Sequence, residues 1–80
     1  MTTIYVGNIG SQTDEPELHS LFGRHGTVLD VTIPRDGSGG CRGFAFVYMP
    51  DEGSADQAVS GLNGISYRDR SLIVDKVISR

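Results

Sequence analysis

The sequence predicts an α+β sandwich: a four-stranded antiparallel sheet with two helices on one face and water on the other. Three observations predict it. Residues 4–9, 28–33, 43–49 and 72–75 are short runs rich in β-branched and aromatic residues, closed by Gly or Pro or by polar turns. Residues 14–25 and 51–62 repeat apolar side chains at spacings of three and four, the period of a half-buried helix. The six elements follow one another as β-α-β-β-α-β.

The first strand, Ile4-Tyr5-Val6-Gly7-Asn8-Ile9, stops at Gly10-Ser11. Asp14 then stands three residues before Glu17, the spacing of a capping box in which each side chain satisfies the other residue's backbone N–H. A helix is expected from there. Leu18, Leu21, Phe22 and His25 make its apolar face, and Gly26 supplies a left-handed residue to end it. The second strand, Val28 to Ile33, is closed by Pro34, which has no N–H to donate. Asp36-Gly37-Ser38-Gly39-Gly40 has little side chain to pack and is expected to be a flexible loop. The third strand runs from Gly43 to Met49. After Pro50, residues 51–54 start a second helix with Ala55, Ala58, Val59 and Leu62 as its stripe, ended by Asn63-Gly64. Tyr67-Arg68-Asp69-Arg70 is a polar turn, and Leu72 to Asp75 is the fourth strand.

Each βαβ half crosses over right-handedly, so the first and third strands become central neighbours. The expected strand order is 4-1-3-2 with both helices on one face, the ferredoxin-like sandwich. A chain of 80 residues, 38% hydrophobic, supports one modest core, so residues 1–80 are expected to be a single domain. The single cysteine, Cys41, has no partner for an intrachain disulfide or a metal-ligand pair and is expected to be an exposed bystander. It fits a reducing compartment, and with no basic leader or long apolar run the expected location is cytoplasmic, or nuclear in a eukaryote.

Side chains alternate across a strand. If Ala45 and Val47 point into the core, Arg42, Phe44, Phe46 and Tyr48 point to the open face, and the same parity sends Tyr5 and Gly7 outward beside them. Rings left in water cost roughly 1.5–3 kcal/mol each relative to burial, so a flat partner is expected to cover them. Nucleobases are flat, and stacking one on an aromatic ring contributes about 1–3 kcal/mol whatever the base.

Arg42-Gly43-Phe44-Ala45-Phe46-Val47-Tyr48-Met49 resembles the octamer of the RNA-recognition motif family at seven of eight positions, and Ile4 to Ile9 resembles its hexamer. Met49 departs from the preferred aromatic, but by parity it faces the core, where methionine is an adaptable filler. The resemblance implies single-stranded RNA as partner, stacked on Tyr5, Phe44 and Phe46, with Arg42 on a phosphate. It extends the candidate RNA-binding set to Tyr48, Asn8, Arg35 and the segment Asp75-Lys76, which leaves the fourth strand. The small single-domain RNA-binding proteins of bacteria are the nearest type, in the role of a post-transcriptional regulator or RNA chaperone. Single-stranded DNA, and a protein partner on the same fold, are the alternatives, the latter favoured by outward-facing Ile73. A monomer is expected, with no cofactor, metal or membrane.

A formal charge of −3 taken over the whole chain opposes a polyanionic partner. The charges are unevenly spread, however: residues 13–30 and 48–64 each carry −3, while 31–47 carry +1 and 65–80 carry +2. The helical layer is therefore expected to be acidic and the sheet mildly positive.

Catalysis is not expected. Acylphosphatases share the architecture but need an arginine in the first loop, and Gly10 to Glu17 contains none. One cysteine excludes ferredoxin clusters and C-x-x-C metallochaperones. Residues 37–42 break G-x-G-x-x-G at Arg42, and no helix follows to hold a phosphate.

Overall fold

The computed structural model describes residues 1–77, so Arg80, one of the cations behind the +2 of residues 65–80, lies outside the described residues. Strand β1 spans Thr2–Gly7, helix α1 Glu15–Gly23, strand β2 Asp30–Thr32, strand β3 Phe44–Met49 and helix α2 Glu52–Leu62. A small hairpin, β4 (Ser66–Tyr67) with β5 (Arg70–Ser71), precedes the last strand, β6 (Ile73–Val77). The main sheet is antiparallel in the order β2-β3-β1-β6, which is the expected 4-1-3-2 with β6 as the fourth strand.

Asp14 caps α1 by accepting the Glu17 N–H at 3.0 Å, and Pro16 sits in the first turn, where a missing N–H breaks no helical bond. The expected capping box is only half formed. The Glu17 carboxylate turns away to Tyr67 and Arg68 on the hairpin, because a phenol and a guanidinium there outcompete one backbone N–H. The helix also ends three residues before Gly26, at Gly23, with Arg24 as its C-cap. Gly26 (φ +153) serves instead to let the chain pass α2, since a Cβ there would lie 2.4 Å from Ser54 Oγ.

Asp51 caps α2 by accepting from both the Ser54 N–H (3.0 Å) and the Ser54 hydroxyl (2.8 Å). At the other end of α2, Asn63 Oδ1 accepts the Val74 N–H at 3.0 Å, satisfying a donor on edge strand β6. The core lies between the helices and one face of the sheet. Ile4, Val6, Ala45, Val47, Met49 and Val74 meet Leu18, Phe22, Ala55, Ala58 and Leu62 there, and Met49 is fully buried as its parity required.

Strand limits differ from expectation. β1 begins two residues early and β6 runs on to Val77, whereas β2 holds only three residues of the expected six. The turn at 67–70 proves to be a two-residue hairpin loop with both central residues, Arg68 (φ 52) and Asp69 (φ 64), left-handed. Neither is glycine, so the usual signal was missing. The loop at 36–40 is better organised than its glycines suggest. The Asp36 carboxylate accepts from the Ser38 hydroxyl (2.7 Å), the Ser38 N–H (2.9 Å) and the Gly40 N–H (3.0 Å), which together hold its pKa below the ordinary 3.8.

Cys41 is a correction. It is 7% exposed and belongs to the core, with its sulfur accepting the Gly43 N–H at 3.3 Å. Its own N–H reaches Ser11 O at 3.3 Å, and it bridges Arg35 across the loop, so the chain folds back over the end of the sheet and covers it.

Candidate nucleic-acid interface

The register of the main sheet lays the open face out in three rows. Gly7 lies between Ile73 and Phe44; Tyr5 lies between Asp75 and Phe46, with Thr32 beyond; Thr3 lies between Val77 and Tyr48, with Asp30 beyond. The parity expected of Tyr5, Phe44, Phe46 and Tyr48 is therefore met, and all four are half-buried while Ala45 and Val47 are fully buried. Three of the rings touch. Tyr5 and Phe44 have centroids 6.1 Å apart and planes within 22°, whereas Phe46 stands at 65° to Tyr5 (6.1 Å) and 81° to Phe44 (5.8 Å). Offset and edge-on contacts of this kind hold the cluster together without covering every ring face.

Arg42 is exposed just before the left-handed Gly43 (φ +94), and among the described residues it makes no ion pair. The other candidate cations are engaged elsewhere. Arg35 pairs with Glu15 of α1 at 2.7 Å, and Lys76 pairs with Asp56 of α2 at 2.6 Å. The Asp56 carboxylate that accepts this bond holds the Lys76 ammonium above its ordinary 10.5. Lys76 alternates with Asp75, so its side chain lies on the helical side of the sheet. Arg68 pairs with Glu17. Among the described residues the mildly positive sheet expected from segment charges is thus not found: Arg35, Lys76 and Arg68 turn toward the acids of the helices, while Asp30 and Asp75 stand on the open face.

Asn8 leaves β1 in a left-handed conformation (φ 60) and spends its amide internally. Its Nδ2 donates to Ser71 O at 2.8 Å, and its Oδ1 accepts from Arg70 at 3.3 Å, tying the end of β1 to the hairpin. Asp75 lies in the middle of β6 instead of at its end, in the row of Tyr5, and its carboxylate accepts only the neighbouring Lys76 N–H at 2.8 Å among the described residues. Val77 joins Ile73 on the open face, 40% and 53% exposed. It was missed because the fourth strand was expected to stop at Asp75.

The family model for the RNA recognition motif matches residues 4–73. The chain belongs to the RNA recognition motif family. Within that family it is 39% identical over 79 residues to RbpD of Nostoc sp., a protein with an RNA-binding name, covering 98% of this chain and 84% of that one. It is also 35% identical to the polyadenylate-binding protein of Eremothecium gossypii over 94% of this chain, but spans only 13% of that much longer protein. Among solved structures, the crystal structure of RNA binding protein PG1 superposes with a TM-score of 0.94 at 34% identity, covering 100% of this chain and 98% of the other.

Proposed function

We propose that this chain binds single-stranded RNA on the open face of its sheet by stacking bases on Tyr5, Phe44 and Phe46. The observation that carries this reading is the contact of three aromatic rings on a face that no helix covers. Membership of the RNA recognition motif family and the RNA-binding names of its relatives support it. Arg42 is the proposed phosphate contact, Tyr48 extends the apolar surface along β3, and Asp75 accepts from the donor edge of a base. Arg35 and Lys76 reach RNA only by giving up their ion pairs, and Asn8 contributes by holding the hairpin.

The proposed role is that of a small single-domain, monomeric, cytoplasmic RNA binder acting after transcription, with no catalytic step. Ile73, Val77 and Asp75 on the same face favour a second reading, in which a peptide occupies the platform. The two separate in one experiment. Unstructured RNA and DNA oligomers of the same base sequence are titrated while the Tyr and Phe ring signals are followed by NMR. Joint movement of the Tyr5, Phe44 and Phe46 rings with RNA supports the reading, and an equal response to DNA broadens it to single strands in general. Rings that stay still with both nucleic acids overturn it in favour of the peptide.

A further inference from the structure

Gly7 faces the open side of the sheet and has no side chain, yet it is buried. What covers it is the Tyr5 ring. A Cβ at Gly7 would lie 2.7 Å from Tyr5 Cε2, 2.7 Å from Tyr5 Oη and 3.0 Å from Tyr5 Cζ, closer than side-chain atoms approach one another without a shift. Gly7 is not left-handed, so its backbone makes no demand for glycine. Space does.

We propose that Gly7 is a positioning residue for base binding: its missing Cβ is the shelf on which the Tyr5 ring lies down over β1, nearly parallel to Phe44. This deepens the RNA-binding reading above and rests on it. With a methyl group at position 7, the ring must shift off the shelf. The 22° alignment with Phe44 is then lost, and Tyr5 no longer offers a base the same face. The displaced atoms are the free end of one side chain, so the rest of the fold is undisturbed. Alanine is also a better strand residue than glycine, so stability holds or rises.

The test compares wild type, Gly7→Ala, Tyr5→Ala and the double variant for affinity to an unstructured oligoribonucleotide and for thermal midpoint. Gly7→Ala is expected to bind about tenfold more weakly, the order of one lost base stack, with an unchanged or higher midpoint. In the Tyr5→Ala background the same substitution is expected to have no further effect, because the residue acts through the ring. Wild-type affinity in Gly7→Ala, or an equal loss in both backgrounds, overturns the proposal. NMR contacts between the Tyr5 and Phe44 rings in the free protein give a reading independent of RNA. Their loss in Gly7→Ala supports the shelf even if wild type fails to bind the oligomer, and their persistence refutes it.

Discussion

Glu17, in the first turn of α1, accepts a hydrogen bond from the Tyr67 hydroxyl at 2.7 Å, joining residues 50 positions apart. The same carboxylate pairs with Arg68, whose guanidinium stands 5.8 Å from the centre of the Tyr67 ring. One acid thus fastens the β4–β5 hairpin to the helical layer. Glu17→Ala strips both donors of their acceptor and is expected to cost about 1–2 kcal/mol in chemical denaturation. Tyr67→Phe is expected to cost less, and the double variant less than the sum of the two, since they share one bond.

The engaged cations set the salt dependence of binding. With Arg35, Arg68 and Lys76 held by Glu15, Glu17 and Asp56, and Arg42 the proposed phosphate contact, the slope of log K against log salt is expected to be no steeper than about −2, the value for about three phosphates on a single strand. Phe44→Ala with Phe46→Ala should abolish binding while the protein stays folded, with a lower denaturation midpoint because the half-buried rings lose their contacts with each other and with Tyr5. A slope steeper than about −5 in a salt titration would contradict a stacking-dominated interface.

Thr13, in the loop between β1 and α1, is 1% exposed, and its hydroxyl finds no partner among the described residues. Thr13→Val keeps the shape and removes the unsatisfied hydroxyl. Thermal unfolding is expected to show a gain of about 1 kcal/mol in place of the usual loss on substitution in a core.

Asp51 gives the acid end of the stability profile. The Ser54 hydroxyl and then the Ser54 N–H hold its carboxyl below the ordinary 3.8, so the folded state prefers the charged form. That contribution is present above 3.8 and is lost as pH falls through the lower folded value. Asp51→Asn keeps an N-cap acceptor without the titration. Its stability should fall less than that of wild type between neutral pH and pH below 3.8, as measured by denaturation at each pH.

The sequence by itself determined which face each ring takes. Strand alternation is a local property of the backbone, so Tyr5, Phe44, Phe46 and Tyr48 could be assigned to the open face, and Met49 to the core, without knowing what lay beside them. Asp14 was legible as a cap for the same reason, since it acts on an N–H three residues away, and residues 51–54 were legible as a helix start, where Asp51 proves to be the cap. The order of the elements and the handedness of the crossovers then set the sheet order.

Only the tertiary structure decided where the long charged side chains went. Arg35, Lys76, Arg68 and Glu17 can each reach acceptors or donors on several elements, and the partners chosen lie 20 or more residues away, so no local pattern encodes the choice. Burial of Cys41 likewise depended on how the chain around the 36–40 loop folds back to bridge Arg35. The rings' exposure follows from a two-residue period, whereas the turning of Arg35, Arg68 and Lys76 away from them toward Glu15, Glu17 and Asp56 follows from packing between distant segments.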